Sequence, residues 1–99
     1  MQLKECKTLE EARKEIDSVD EEIVKLIAKR NRYIQQIAHF KTSIDEVKAQ
    51  ERIDEVISKV RQNAIELEVS PNLLTDLYLR MIDGMVESEI AEFRNAKGL

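Results

Sequence analysis

Among its 99 residues the chain has one cysteine, one histidine, one proline, two glycines and no tryptophan. Cys6 therefore has no internal partner for a disulfide and reads as a free thiol in a reducing cytosol, so a cytoplasmic location is expected. A lone histidine, His39, cannot build a metal cluster, so no metal is expected. His39 also lies off the apolar face of its segment and is expected at the surface. No apolar run approaches the ~20 residues of a membrane span, and the opening MQLKECKTLEE lacks a signal-peptide core, so no membrane partner is expected. The 20 acidic residues outnumber the 16 basic ones and no polybasic cluster occurs, which argues against a nucleic-acid partner. β-branched residues never alternate with polar ones over the length of a strand. With glycine and proline so scarce, an all-α fold is expected. The 42% apolar and 36% charged content describes one globular domain over residues 1–99 with much solvated helix surface.

What is present is a long uninterrupted helical pattern. Thr8 to Lys41 contains no Gly or Pro, and its apolar residues follow a heptad. Leu9, Ile16, Ile23 and Ile37 take one seam position, while Ala12, Val19, Leu26, Tyr33 and Phe40 take the other. Such a helix is roughly 50 Å long, more than a chain of this size needs across its diameter. Its seam calls for a partner along its whole length, and self-association is the natural reading. Thr8-Leu9-Glu10-Glu11 fits a capping box that starts the helix. Residues 1 to 7 read as a ragged arm.

One seam position, Arg30, holds a cation. It snorkels outward or fixes register, or else it faces an anion. Lys41 follows eleven residues later, about 16 Å along the axis and within about 20° of the same face. The two charged heads can bracket a small anion lying along the helix. Arg13 lies roughly 25 Å before Arg30, too far for both to grip one small molecule on a straight helix. If it serves the same kind of site, it does so in another subunit.

Thr42 to Glu46 breaks the apolar period and reads as a short polar loop with Lys41 at its hinge. A second helix is expected from about Val47 to Leu67, burying Ile53, Val56, Ile57, Val60, Ala64 and Leu67. Arg52, beside the start of that stripe, reads on its own as a surface arginine. Ser70-Pro71 marks the start of a third helix running to about Arg94. Its apolar positions are Leu74, Leu77, Tyr78, Met81, Ile82 and Met85, and the stripe continues to Glu89 and Phe93. Glu89 either emerges at the end of the buried face or meets a cation within it. Asp83, Glu87 and Glu92 lie elsewhere and read as solvated, and Ala96 to Leu99 as a frayed end.

Three helices with Arg13, Arg30, Lys41, Arg52 and Glu89 at these intervals resemble the all-helical AroQ class of chorismate mutases and its relative, isochorismate pyruvate lyase. The resemblance covers about residues 8–94. Its strongest pieces are Glu11-Ala12-Arg13-Lys14-Glu15-Ile16-Asp17, Asp20-Glu21-Glu22-Ile23-Val24, Leu26-Ile27-Ala28-Lys29-Arg30, Phe40-Lys41 and Glu51-Arg52. It implies an intertwined homodimer in which each site borrows Arg13 from the partner's first helix. By the same resemblance Arg30 and that Arg13 hold the carboxylates of a small dicarboxylate substrate, chorismate or isochorismate. Lys41 and Glu89 contact the ether oxygen, and Arg52 supports the ring carboxylate. Ile53 and Met85 complete the substrate-binding set, with Lys41, Glu89 and Arg30 as the catalytic residues.

The mutase reaction is a one-step Claisen rearrangement without nucleophile or cofactor, so none is expected. Its catalysis is conformational and electrostatic. Two positions depart from the mutase pattern. Glu89 stands where a Gln usually donates to the ether oxygen, and must be protonated to donate. Ile53 stands where many mutases have a Glu that binds the substrate hydroxyl, and here the chain is more similar to the lyases. The mutase is the leading expectation and the lyase, or both activities, the second. A non-catalytic helical regulatory module is a third reading, though it has no need of Arg30 and Glu89 on apolar faces.

Overall fold

The computed structural model describes residues 2–98, and among these it contains four helices and no strand. They are α1 (Leu9–Ala38), α2 (Ile44–Val47), α3 (Gln50–Glu66) and α4 (Pro71–Lys97). Met1 and Leu99, assigned to the arm and the frayed end, lie outside the described residues. The chain divides into two compact units, Met1–Arg32 and Tyr33–Leu99.

The first unit is mostly the N-terminal part of α1. The expected capping box forms: the Glu11 amide donates to Thr8 Oγ1 at 3.1 Å. The Glu11 carboxylate reaches one residue further back than the standard box, accepting from the Lys7 amide at 2.9 Å. Lys4 Nζ lies 3.5 Å from Glu15, so the arm is tied to the first turns. The seam residues Leu9, Ile16, Val19, Ile23 and Leu26 are all exposed in the single chain.

In the second unit α1 ends earlier than the expected Lys41. The amides of His39, Phe40 and Lys41 bond three residues back, to Gln36, Ile37 and Ala38. This tightening satisfies carbonyls that a helix end leaves open. Phe40 leaves the heptad there and is 82% exposed. A different stripe of the helix is covered instead. Ile34 and Gln35 are half-buried, and Ala38 is fully buried.

The expected loop at Thr42–Glu46 is a correction. Ile44–Val47 forms a one-turn helix because Ser43 caps it, accepting from the Glu46 amide at 3.2 Å. Val47, counted as the start of the second helix, closes this turn instead. Ala38, Val47 and Phe93 form the buried core, with Ile44, Val86 and Ile90 packed against it. Two polar links flank this core: Gln35 donates to Ser88 at 3.3 Å, and His39 Nε2 lies 3.0 Å from Glu92. His39 is exposed as expected, but it is paired, and Glu92 is half-buried rather than solvated.

α3 and α4 form a helical hairpin. Ile53, Val56, Ile57 and Val60 are half-buried and Ala64 is buried, whereas Leu67 is exposed. Leu67 caps α3, where the chain turns away, and Glu68 adopts a left-handed φ of 60°. The Val69 amide then reaches the Ala64 carbonyl at 2.9 Å and the Glu68 amide the Ile65 carbonyl at 3.2 Å, a Schellman ending with a glutamate in the usual glycine position. Ser70 caps α4, accepting from the Leu73 amide at 3.2 Å, with Pro71 following as expected. Arg61 on α3 donates to Thr75 Oγ1 at 2.8 Å and to Asn72 at 3.2 Å, fastening the hairpin near its turn.

The stripe Ile82, Met85, Glu89 and Phe93 of α4 is buried, but Leu77 is exposed. α4 also runs past the expected end. Gly98, in the left-handed region at φ 72°, donates to Arg94 and Asn95, so Ala96 and Lys97 are helical rather than frayed. Phe93 is the largest side chain in the core of the second unit. Truncation to alanine leaves a cavity that rigid helices fill only in part. Phe93→Ala is expected to lower unfolding free energy by about 3 kcal/mol, measured by urea denaturation.

Candidate active site

Glu89 is the one charged side chain among the described residues that is buried, at 5% exposure. It sits on the apolar stripe of α4 between Met85 and Phe93, one turn from each. Its Oε2 has no hydrogen-bond partner among the described residues, a state shared with Asn31 Oδ1 on α1. Loss of water pushes the Glu89 carboxyl above its ordinary range, and the nearby Lys41 ammonium pulls it part of the way back. Desolvation wins because a carboxylate loses more by leaving water than one partly exposed ammonium returns. Of the two readings open for Glu89, the structure gives the second: it is inside the buried face, with a cation near it.

Lys41 is half-buried just beyond the last turn of α1. Its Nζ donates to the Glu46 carbonyl at 3.1 Å. Among the described residues it forms no salt bridge with a carboxylate, and an ammonium has further donors to offer. The structure thus brings Lys41 and Glu89 together from elements distant in sequence.

The remaining expected residues are placed differently. Met85 is buried on α4 and Ile53 half-buried on α3. Arg52 is exposed and pairs with Glu55 on its own helix. Lys59 first, and Arg52 after it, hold the Glu55 carboxyl below its usual range. Arg52 is thus a surface arginine in the single chain. Arg13 and Arg30 belong to the first unit, Arg13 exposed and Arg30 half-buried. Roughly 25 Å of helix separates them.

The sequence reading placed Glu46 in the polar loop and gave it no role at the site. Its two oxygens accept from the Thr42 amide at 2.9 Å and the Thr42 hydroxyl at 2.6 Å. Ser43-Ile44-Asp45-Glu46 repeats the capping-box spacing of Thr8 to Glu11. That signal was present but masked by the loss of apolar period.

The second unit thus combines a buried acid on α4 with an ammonium near enough to act on its carboxyl. The family of type II chorismate mutases matches the chain over residues 12–90. This chain belongs to the type II chorismate mutase family, and its function is chorismate mutase-like. No curated protein matches it. The matched segment contains Arg13, Arg30, Lys41, Arg52, Ile53, Met85 and Glu89. No helix among the described residues is long and apolar enough to cross a membrane.

The shift at Glu89 has a consequence for stability. The folded state holds the proton more tightly than the unfolded chain, whose carboxyl titrates near 4.5. The contribution is fully present below that value and is lost as pH rises through the raised folded value. Glu89→Gln removes the titration. Urea midpoints taken from about pH 4 to pH 8 should show a decline in the wild-type protein that is absent or smaller in the variant.

Proposed function

We propose that this protein is a homodimeric chorismate mutase that converts chorismate to prephenate. The reading rests on a buried Glu89 beside Lys41 in a chain of this family. The rearrangement breaks the ether C–O bond as the new C–C bond forms, and negative charge grows on the ether oxygen. Lys41 supplies an ammonium to that oxygen, and Glu89, protonated, supplies a hydrogen bond. Fixed donors of this kind act where charge develops and contribute about 10²–10³ in rate each. Arg30 and Arg13 of the partner subunit hold the two carboxylates, which confines the substrate to its compact reactive conformer. Arg52 leaves Glu55 for the ring carboxylate, an exchange that a surface ion pair permits at little cost. Ile53 and Met85 form apolar walls.

In this reading the dimer completes the site, because about 25 Å of helix between Arg13 and Arg30 keeps both from gripping one small ligand within one chain, and the exposed apolar seam of α1 supports pairing through that helix. A second reading, isochorismate pyruvate lyase, is favoured by Ile53, which offers no group to the substrate hydroxyl. In the lyase the same cations bind isochorismate, whose side chain takes up a ring hydrogen and leaves as pyruvate, giving salicylate. Separate incubation with chorismate and isochorismate, following prephenate and salicylate, tests both. Prephenate from chorismate supports the mutase, salicylate from isochorismate the lyase, and neither product rejects both.

Protonated Glu89 is the working form, so turnover is expected to rise toward acidic pH and Glu89→Gln to flatten the profile. A rate that climbs with pH is the contrary outcome. Arg13→Ala and Lys41→Ala should each be inactive. Refolded together, they should recover about one quarter of wild-type activity, since half the dimers are mixed and each mixed dimer has one intact site. No recovery, in proteins shown to be dimeric, rejects the shared site.

A further inference from the structure

Five consecutive hydrogen-bonding features surround the lysine hinge. The Glu46 carboxylate is held at both oxygens by Thr42, at 2.9 Å and 2.6 Å. The Glu46 amide donates to Ser43 at 3.2 Å, and the Glu46 carbonyl accepts from Lys41 Nζ at 3.1 Å. The Val47 amide closes the turn on the Ser43 carbonyl at 3.4 Å. One residue thus fastens its side chain, its amide and its carbonyl to three successive residues before it. The turn is in turn anchored, because Val47 is buried with Ala38 and Phe93.

The chemistry of this ring is selective. A glutamate five residues from a lysine could neutralise it by a direct ion pair. Here both carboxylate oxygens are already occupied by the Thr42 amide and hydroxyl. Lys41 meets the neutral peptide carbonyl of Glu46 instead, which orients an ammonium without cancelling its charge. The occupation is tight enough that the Thr42 hydroxyl and then its amide hold the Glu46 carboxyl below the usual range, against the opposing effect of burial and with a further lowering from Lys41. At neutral pH the carboxylate is therefore ionised and accepts from both donors.

We propose that Glu46 is a positioning residue for Lys41: by clasping Thr42 it closes the hinge and aims its own carbonyl at the ammonium, leaving the other ammonium donors for substrate. The inference rests on Lys41 acting at the ether oxygen, as proposed above. Glu46 itself does not touch substrate. Its effect falls on the charged transition state more than on ground-state binding, which several cations share.

Glu46→Ala, Glu46→Gln and Lys41→Ala, compared with the wild-type dimer on its active substrate, test the idea. Glu46→Ala should lower kcat about tenfold with KM changed less than about threefold, and should deprotect the Thr42 amide in hydrogen exchange. Glu46→Gln should recover most of kcat, because its amide can accept from the Thr42 N–H and donate to the Thr42 hydroxyl. A merely structural role would lower the urea midpoint of Glu46→Ala without this split in kcat and KM and without rescue by Gln. The proposal is overturned if Lys41→Ala is inactive while Glu46→Ala keeps wild-type kcat, or if Glu46→Gln is as impaired as Glu46→Ala. If Lys41→Ala retains full turnover, the role assigned to Lys41 fails first, and the positioning of Glu46 falls with it.

Discussion

An acid removed from water must be neutral, paired or unstable, and Glu89 imposes that choice on the second unit of this protein. It lies on the same stripe of α4 as Ile82, Met85 and Phe93, so the packing that stabilises the helix also dries the carboxyl. The Lys41 ammonium opposes the resulting upward shift. A carboxyl in that state is a hydrogen-bond donor at pH values where a solvated one is not. Under the proposed mechanism, that donor takes the place of the neutral amide of the mutase pattern.

The second constraint is the placement of Lys41 itself. α1 ends at Ala38, whose methyl group is fully buried, and α2 closes on Val47, which is buried in the same core. Lys41 lies in the short link between these two anchors. Links of this length leave few backbone conformations, and the Ser43 cap and the Thr42–Glu46 hydrogen bonds reduce them further. The position of the ammonium is therefore set by core packing on one side and by a closed polar ring on the other.

α1 carries two faces with different fates. Ile34, Gln35 and Ala38 are covered within the second unit, while Leu9, Ile16, Val19, Ile23 and Leu26 are exposed. The exposed set is the heptad seam, and the proposed dimer gives it a partner. Under that proposal the arginine spacing also follows, since Arg13 and Arg30 are too far apart on one helix to meet one small ligand.

Local chemistry was legible in the residues themselves. Thr8 with Glu11 and Ser70 with Pro71 each set a helix start through contacts within four residues, and apolar spacing placed α1, α3 and α4. Family membership was also legible, because the cations and Glu89 sit at fixed intervals along helices. The sequence could not decide between a carboxyl at the rim and one inside the buried face, since that depends on what packs against α4 from distant parts of the chain. For the same reason Leu67 and Leu77 read as core and are exposed, while Glu92 read as solvated and pairs with His39. The turn at Ile44–Val47 was missed although its cap was in plain view, because a single helical turn has too few apolar residues to show a period. Spacing along one helix is a one-dimensional property and the sequence determines it. Burial, and with it the upward shift of the Glu89 carboxyl and the contact of Lys41 with the Glu46 carbonyl, depends on which segments meet, and only the tertiary structure decided that.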